Sequence, residues 1–439
     1  MCAFLSTQPY KGTRDFYPDE MKIRSWIFDR MRSTCRSFGY QEYDGPMLEP
    51  FELYAAKSGE EIVNQQLYWM MDRGERKMAV RPEMTPTLAR MVAGKVNELP
   101  KPVRWFSIPN LWRYERPQRG RLREHWQLNV DVLGGDALLA DAELLTLALD
   151  MMKGFGGEKY VSIRVNNRRL MDEFFAKKLG LAADQTLRVV KLIDARAKIG
   201  EEKFAAGLAE AGVPESVKAE LEKFFSSSLA SLANEMPCAG VDELTKVFGF
   251  LSESGFSVSG NPKDTASQVV FDPMIMRGLD YYTGTVFEMF DTSPENRRAM
   301  FGGGRYDNLV GLFGKEKLSG VGFGMGDVTL RDFLETHGLL PKMESSVDVF
   351  VSLPKPELRG RAESIARELR GAGLRVITPL EVGGFGVQLK QAVKHAARFA
   401  VLFGDAELAA GKVIVKDLEK NAQTEAAFSD VVRACTVPG

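Results

Sequence analysis

The sequence predicts an α+β core, in which helices flank an antiparallel sheet, with a helical insertion and a separate C-terminal α/β domain. In the first part of the chain, strand patterns at 103–108, 127–133 and 161–165 alternate with helical patterns. A long helical stretch follows, and strand patterns resume at 268–271 and 285–290. A strand-rich core that is interrupted by helices and then resumed is typical of an α+β fold with an antiparallel sheet.

The composition is that of a globular protein. The 439 residues are 44% apolar and 27% charged, with a formal net charge of −1, so contact with nucleic acid would need local basic patches. This length suggests two to three domains. The four cysteines are far apart and the three histidines scattered, which argues for a reduced cytosolic protein and against structural zinc. We find no signal-peptide pattern and no apolar run long enough to span a membrane.

The first elements follow from local signals. A helix is predicted to begin at Pro18, because proline suits the first helical position and Asp19 and Glu20 follow in the first turn. Gly39 supplies its end. A later helix at 141–152 places its apolar residues on one face; these are Leu144, Leu147, Ala148 and Met151.

The helical stretch at 168–258 is interpreted as an insertion within a core domain of residues 1–335. After Pro214 it carries one apolar stripe, formed by Val217, Leu221, Phe224 and Phe225. It carries no dense cluster of polar residues, so we expect a structural role for it.

The part from 345 to 439 is predicted to be a separate small α/β domain, because strand and helix patterns alternate there. The strands are expected at 347–353, 374–377, 400–403 and 413–416, and the helices at 359–369 and 387–397. The polar, proline-containing stretch at 341–346 is the expected linker.

The segment from Leu111 to Asp131 has the most distinctive polar pattern. A short turn-containing stretch holds five arginines and two glutamates: Arg113, Arg116, Arg119, Arg121, Arg123, Glu115 and Glu124. In the strand that follows, alternation puts Gln127, Asn129 and Asp131 on one face. Guanidinium groups bind two phosphate oxygens at once, so the segment suits a polyanion beside a small polar molecule. The alternative is a solvated, charged hairpin.

Four further clusters contain residues suited to chemistry. They are Arg81–Thr85, Arg277–Tyr282, a glycine-rich turn at 302–307, and a second glycine-rich run at 320–326 followed by a helix from near Asp327. Each has a structural alternative. Glu83 could be a carboxylate at a helix N-terminus, and the tyrosine pair could be half core and half surface. The run at 320–326 could be a dinucleotide-binding turn, although its spacing and late position match poorly.

Taken together, these clusters resemble the class II aminoacyl-tRNA synthetases, and among them the histidyl-tRNA synthetases. Gly12–Asp15, with the helix to Gly39 and Gly45–Pro46, resembles the first, dimer-forming motif of the class, and Trp112–Gln118 resembles the second. Arg277–Tyr282 and Gly303–Asp307 resemble the two histidine-specific motifs. The resemblance extends over nearly the whole chain.

Two positions depart from the family pattern, and both concern ATP. The third motif of the class usually has an arginine against the γ-phosphate, and Thr329 stands in its place here. Arg331 is two positions further on, which on a helix points elsewhere. The aromatic residue that usually stacks on adenine is His125 in this chain.

The resemblance implies a two-step reaction with histidine, ATP with Mg²⁺, and tRNA(His). It also implies a cytoplasmic homodimer without membrane contact, and an anticodon-binding C-terminal domain. Arg113 and Arg277 would contact the α-phosphate and the carboxylate from opposite sides. The remaining ATP contacts would be Glu115, Arg121, His125, Gly304 and Gly326. Histidine would contact Glu83, Thr85, Gln127, Asp131, Tyr281, Tyr282 and Tyr306. We expect no metal site built from protein side chains.

Two other functions stay open at this point. One is a catalytically silent paralogue that binds histidine and regulates another protein; such paralogues usually lack the Arg277-type motif and the C-terminal domain. The other is a class II synthetase for proline, threonine or glycine, which the Arg277–Tyr282 motif argues against.

Overall fold

The computed structural model describes residues 5–56, 62–276, 282–293, 299–307 and 309–436, and the chain divides into two units, Met1–Leu340 and Pro341–Gly439. The helices and strands of the first unit, numbered in chain order, are α1 (Pro18–Ser37), β1 (Gln41–Glu42), β2 (Leu48–Pro50), α2 (Phe51–Ala55), β3 (Trp69–Met71), β4 (Lys77–Val80), α3 (Thr85–Gly94), β5 (Val103–Ser107), β6 (Asn110–Trp112), β7 (Glu124–Leu133), α4 (Ala137–Gly154), β8 (Val161–Asn167), α5 (Arg168–Asp172), α6 (Ala183–Ile199), α7 (Glu201–Glu210), α8 (Glu215–Ser226), α9 (Leu229–Glu235), α10 (Ala239–Glu253), β9 (Val258–Ser259), β10 (Val269–Phe271), β11 (Thr285–Asp291), β12 (Ala299–Tyr306), β13 (Gly320–Gly326) and α11 (Asp327–Thr336). In the part of the chain described, no helix combines the length and the apolarity that a membrane crossing needs.

The central sheet has the strand order β1-β5-β7-β13-β12-β11-β8-β10-β9, and β6 pairs with β7. The strands from β5 to β8 along this order are antiparallel, which confirms the predicted centre of the sheet. The edges differ from the prediction. There β1 joins β5, and β10 joins β8 and β9, in parallel pairs. The sheet is therefore mixed.

The two faces of β7 have different environments. Leu128, Val130 and Val132 are buried in the main core, which also holds the apolar face of α4. Alternation then leaves Gln127, Asn129 and Asp131 for the opposite face, as the sequence predicted. The side chain of Asp136 caps α4 by accepting hydrogen bonds from the backbone N–H groups of Leu138 and Leu139, both at 3.0 Å.

Both glycine-rich runs form strands, so the prediction of a turn at 302–307 was wrong, and the alternative of a dinucleotide-binding turn at 320–326 is excluded. Gly302 and Gly304 lie within β12, and the run at 320–326 forms β13. Gly302 pairs with Gly324 and Gly304 with Gly322, in the middle of the sheet. Glycine is uncommon inside strands because it packs nothing, and it usually marks the close approach of a ligand or another backbone. The helix expected near Asp327 is confirmed as α11.

The insertion forms helices α5 to α10, and its predicted apolar stripe is buried. The chain returns from it through β9 and β10. A buried ion pair then ties β12 to α4, with Arg305 Nη2 2.6 Å from Asp141 Oδ1. Thr285 donates a 2.7 Å hydrogen bond to the same carboxylate. This contact fixes β12, the strand that carries Gly303 to Tyr306.

The second unit has its own five-stranded sheet, of order β15-β14-β16-β17-β18. Its elements are β14 (Val349–Val351), α12 (Arg359–Gly371), β15 (Val376–Ile377), α13 (Phe385–Lys394), β16 (Phe399–Leu402), α14 (Asp405–Ala409), β17 (Lys412–Asp417), β18 (Ala422–Ala427) and α15 (Val431–Thr436). The β14 strand is parallel to both β15 and β16, and β17 and β18 are antiparallel. The predicted α/β alternation is confirmed. The β18 strand was not predicted, because its exposed residues show no apolar alternation.

Candidate active site

An open cleft of about 240 Å³ lies beside the arginine-rich hairpin that joins β6 to β7. Its lining residues come from the hairpin, β7, β11, β12, β13 and α11; they are Arg113, Glu115, Gly120, Arg121, Leu122, His125, Gln127, Glu288, Ala299, Met300, Phe301, Gly302, Gly324, Gly326, Val328 and Thr329. Five of the six predicted ATP contacts are in this set: Arg113, Glu115, Arg121, His125 and Gly326.

The hairpin holds its cations by local bonds. The Nε atom of Arg113 donates to the carbonyl of Pro82 over 2.9 Å, and its backbone N–H donates to Arg123 over 2.9 Å. Gly120 turns the chain with a φ of +77°, a conformation that glycine adopts at no steric cost. The Arg121 side chain remains half-exposed and lies 3.4 Å from Glu115. The cleft therefore presents guanidinium groups to solvent on one wall.

The floor of the cleft is bare backbone. Gly326 stands opposite Gln127 in the sheet, and Gly324 opposite Asn129. A Cβ atom on Gly324 would lie 2.6 Å from the side-chain nitrogen of Gln127. Glycine at 302 and 324 thus keeps the surface flat, which lets a planar group lie against it.

His125 is neutral in this site. Burial, followed by the positive charges of Arg113 and Arg14, lowers the pKa of its imidazole to about 3. A neutral ring beside guanidinium groups avoids charge repulsion, so the position suits stacking or hydrogen bonding.

The third-motif region has no arginine at the cleft among its described residues. Thr329 lines the cleft and donates hydrogen bonds to the carbonyls of Met300 at 3.0 Å and Gly326 at 3.1 Å. Arg331 pairs with Glu20 and Glu335, so it points away from the cleft, as its helical offset predicted. The small side chain of Thr329 lies against the hairpin turn, 3.4 Å from where a Cβ of Gly120 would be.

Beyond the cleft, the same face of β7 carries Asp131, and we call the group of buried residues around it the Asp131 pocket. Asp131 is 3% exposed and accepts a hydrogen bond from the hydroxyl of Tyr306. Burial raises the pKa of Asp131 to about 7, and the Tyr306 hydrogen bond opposes that rise. No arginine of the hairpin contributes to this shift.

Glycines make the space for this pocket too. A Cβ on Gly322 would lie 2.1 Å from Asp131 Oδ1, and one on Gly320 would lie 2.6 Å from the ring of Tyr306. Gly304 does the same for Tyr282, whose ring would be 3.0 Å away. Gly304 therefore lies against the pocket. Among the described residues it does not line the cleft, although it was predicted as an ATP contact; Gly302 lines the cleft instead.

Tyr282 and Glu83 complete the described part of the pocket. Burial, followed by the negative charges of Glu83, Asp131 and Glu288, raises the pKa of Tyr282. Glu83 and Thr85 lie at the start of α3, directly after Pro82, whose carbonyl binds Arg113. This hydrogen bond joins the hairpin, which lines the cleft, to the segment that carries Glu83.

Two predicted residues, Arg277 and Tyr281, lie outside the described residues. The lining residues Glu288 and Met300 were not predicted from the sequence. Glu288 had a usable signal, because it is a charge between apolar residues in the middle of strand β11. Within the described ranges, no group of three or more His, Cys, Asp or Glu residues could hold a metal ion.

Comparison with known families gives two matches. The family model for histidyl-tRNA synthetase matches residues 12–328, and the model for the anticodon binding domain matches residues 348–436. These matches cover most of the first unit and most of the second.

Known relatives are similar over nearly the whole chain. The histidine–tRNA ligase of Leptospira biflexa is 44% identical over 432 residues, which are 98% of this chain and 97% of the relative. The chloroplastic/mitochondrial histidine–tRNA ligase of Arabidopsis thaliana is 37% identical over 431 residues, 97% of this chain and 86% of the relative.

Solved structures share the fold. Histidyl-tRNA synthetase from Nostoc sp. PCC 7120 superposes with a TM-score of 0.82 at 28% identity, over 98% of this chain and 99% of that one. A Bacillus halodurans structure, described as an ATP phosphoribosyltransferase regulatory subunit/histidyl-tRNA synthetase, gives a TM-score of 0.72 at 23% identity, over 89% and 97% of the two chains. The second likeness bears on the fold alone.

Proposed function

Because the chain belongs to the histidyl-tRNA synthetase family, we propose that it is a histidine–tRNA ligase whose ATP site is the arginine-lined cleft and whose histidine site is the Asp131 pocket. In the first step, the histidine carboxylate attacks the α-phosphorus of ATP, giving histidyl-adenylate and pyrophosphate. In the second, a terminal ribose hydroxyl of tRNA(His) takes the histidyl group and AMP leaves.

The observation that carries this proposal is the continuity of one strand face. Gln127 lines the cleft and Asp131 lies in the pocket, four residues apart on β7. A polyanion in the cleft and an amino acid in the pocket would meet near Gln127. Chemistry of this kind needs positioning and charge neutralisation and no protein nucleophile.

We assign the phosphate contacts to arginines. Arg113, which Pro82 holds beside Glu83, would contact the α-phosphate and the substrate carboxylate from one side, and Arg277 would do so from the other. Arg121, half-exposed at the cleft mouth, would neutralise the outer phosphates. Glu115 and His125 would hold the adenine.

We assign the amino acid contacts to the pocket. Glu83, Thr85 and Gln127 would bind the α-ammonium group, to which the carboxylate gives charge complementarity. Asp131 and Tyr282 would bracket the imidazole, with Tyr281 beside them. Tyr306 would close the pocket, and its hydroxyl would continue to donate its hydrogen bond to the Asp131 carboxylate. A pocket that bonds ring nitrogens rejects isosteres lacking them by roughly 10⁴-fold or more, so such a site needs no editing.

Mg²⁺ would enter with ATP. Its preferred ligands are oxygens, and Glu288 is a carboxylate that lines the cleft, so the residues present fit the ion. When bound, Mg²⁺ neutralises phosphate charge.

We further propose a cytoplasmic homodimer. The small sheet β2-β4-β3 has large apolar side chains that are about half-exposed: Leu48 at 43%, Trp69 at 54%, Met70 at 45% and Met71 at 55%. Exposed large apolar side chains are typical of interaction sites, and this sheet begins shortly after Gly45–Pro46, the segment that resembles the dimer-forming first motif. Sedimentation at micromolar concentration should give twice the 48.9 kDa chain mass. A monomer with full activity would contradict this.

ATP–pyrophosphate exchange tests the function directly. We expect exchange with histidine and none with proline, threonine or glycine. Arg113→Ala and Arg277→Ala should each lower the rate by about 10²–10³, because each removes a charge that stabilises the transition state. A protein that binds histidine without exchange would instead be the silent regulatory paralogue, which the family match at residues 348–436 does not favour.

A further inference from the structure

Two hydroxyl groups near the Asp131 pocket have no role so far. Tyr43 follows β1 and Ser107 ends β5. The hydroxyl oxygen of each is buried, and among the described residues neither has a partner at full hydrogen-bond geometry. The two hydroxyl groups interact with each other, because a side-chain hydrogen bond with Ser107 lowers the pKa of Tyr43. A buried hydroxyl group without a hydrogen-bond partner costs folding free energy. A ligand that forms hydrogen bonds with such groups in a pocket wall would recover that cost.

Both residues face the pocket. Trp105 is the sheet partner of Asp131, and Ser107 is the partner of Asn129. Side chains two apart on a strand share a face, so Ser107 lies on the face that carries Asp131. The ring of Tyr43 packs against that of Trp105, with centroids 5.3 Å apart.

Tyr43 also belongs to the hydrophobic cluster that contains Tyr282 and Tyr306. Burial raises the pKa of Tyr43 most, and the negative charge of Asp131 raises it further. The side-chain hydrogen bond with Ser107 lowers it. The Tyr43 phenol therefore stays protonated at neutral pH, close to both groups. It is a hydrogen-bond donor on the pocket wall.

The backbone around Tyr43 is held firmly. Its N–H donates to the carbonyl of Phe106 over 2.9 Å. The buried Arg81 donates to Asp44 Oδ1 and to the Gly45 carbonyl, each over 2.7 Å. A donor fixed in this way is pre-organised, which lowers the entropy cost of binding.

We propose that Tyr43 is a specificity-determining residue for histidine, and that Ser107 positions it. Asp131 accepts a hydrogen bond from the N–H of the neutral imidazole, and the Tyr43 hydroxyl donates one to the other ring nitrogen. The pocket thereby reads the donor and the acceptor of one imidazole tautomer. This inference rests on the proposed function.

Tyr43→Phe removes only the oxygen. We expect the KM for histidine in ATP–pyrophosphate exchange to rise about 3- to 10-fold, with an unchanged KM for ATP. The inhibition constant of 2-thienylalanine, an isostere without ring nitrogens, should not change. The thermal midpoint of the free protein should stay the same or rise, because the variant loses no hydrogen bond at full geometry.

Tyr40→Phe is the matched control. That phenol donates a 2.9 Å hydrogen bond to Glu143, so the variant should lose stability and keep its KM for histidine. Ser107→Ala should raise the KM for histidine about 2- to 3-fold. The Tyr43→Phe/Ser107→Ala double variant should be no worse than Tyr43→Phe, because residues that act through one contact are not additive.

An unchanged KM for histidine in Tyr43→Phe, or equal weakening of histidine and 2-thienylalanine, would overturn this inference while leaving the function intact. A loss of thermal stability in Tyr43→Phe with no change in discrimination would assign the hydroxyl to the fold and overturn it as well. Wild-type protein without histidine-dependent exchange would overturn the proposed function, and this inference with it.

Discussion

Asp131 illustrates how burial and function compete at a single residue. Its carboxylate is almost inaccessible, and the Tyr306 hydroxyl is its hydrogen-bond donor. Burial disfavours the charged form, so the pKa of Asp131 rises to about 7. An imidazole N–H would stabilise the charged form. If histidine binds there as proposed, its arrival would be coupled to the ionisation of this carboxylate.

Asp131→Ala should raise the KM for histidine about 10- to 150-fold and leave the KM for ATP nearly constant, because charge-assisted hydrogen bonds are worth roughly 1.5–3 kcal/mol. Steady-state exchange kinetics with each substrate varied measures both constants. Arg121→Ala is the reciprocal variant and should affect ATP alone. A dominant ATP defect in Asp131→Ala would remove Asp131 from the histidine pocket.

The same carboxylate predicts a pH dependence of stability. Between pH 4 and 7 the native state keeps the Asp131 proton, whereas the unfolded chain releases it near 3.8. The native state then binds more protons, so this group's contribution to the free energy of unfolding falls as pH rises, and it levels off above 7. Asp131→Asn has no ionisable group at this position, so its free energy of unfolding lacks this decrease with rising pH.

The stability of Asp131→Asn relative to the wild type should therefore increase from pH 5 to pH 7, by up to a few kcal/mol at most, and then stay level to pH 8. Chemical denaturation of both proteins at each pH measures this. A difference that does not vary with pH would show that Asp131 titrates normally in the free protein.

Residue types with strong chemical signatures were predictable from the sequence. The arginines of the hairpin and the alternating Gln127 and Asp131 lie where their spacing placed them. Tyr43 gave no signal, because a single tyrosine after a two-residue strand looks like any other. Its position depends on the parallel pairing of β1 with β5, which connects segments about sixty residues apart.

At the scale of elements, β12 and β13 shape the cleft and the Asp131 pocket. Their glycines remove side chains from two neighbouring strands, so the sheet face becomes the floor of the cleft and the back of the pocket. The glycines were evident in the sequence, but the run at 302–307 was predicted as a turn. Glycine runs usually mark turns, and only pairing with β7 and β11 shows them to be strands.

Gly322→Ala should abolish histidine activation, with a loss of at least about 100-fold, because its Cβ would lie 2.1 Å from Asp131 Oδ1 and 2.9 Å from the Val130 carbonyl. Backbone atoms cannot give way cheaply in a packed sheet. Gly324→Ala should be milder, since its Cβ would meet the flexible end of Gln127. Exchange kinetics and thermal unfolding of both variants show which substitution has the larger effect.

Gly249→Ala provides the control for an added methyl group. Gly249 lies within α10 and has open space around a Cβ, so alanine should stabilise the helix by about 0.5–1 kcal/mol without a change in activity. Wild-type exchange kinetics in Gly322→Ala would contradict the view that this glycine makes room for Asp131.

At the scale of the whole molecule, each unit has its own core. The clusters around α4 and around Leu88 lie within the first unit, and those around Val349 and Phe350 lie within the second. The alternation of strands and helices was enough to predict the second unit, because short connections leave few possible topologies. The mixed edges of the first sheet were not predictable, since strand patterns do not specify pairing direction.

A variant that ends at Leu340 should keep histidine-dependent ATP–pyrophosphate exchange within about a few-fold, because domains with separate cores fold alone. Its charging of tRNA(His) should fall strongly, since single-stranded anticodon bases are read by modules such as the second unit. Comparison of exchange with charging in the full chain and the variant tests this. Equal charging by both would remove anticodon recognition from the second unit.

The bare floor of the cleft has a consequence for inhibition. A flat compound that rests on Gly302, Gly324 and Gly326 would contact main chain, which substitution cannot alter except by adding a side chain. Any such side chain would fill the space that ATP itself needs, if this cleft is the nucleotide site. Substitutions that confer resistance to the compound would then have to occur at the cleft rim, at residues such as Arg121 or Thr329. Few substitutions could confer resistance to an inhibitor that does not contact the rim.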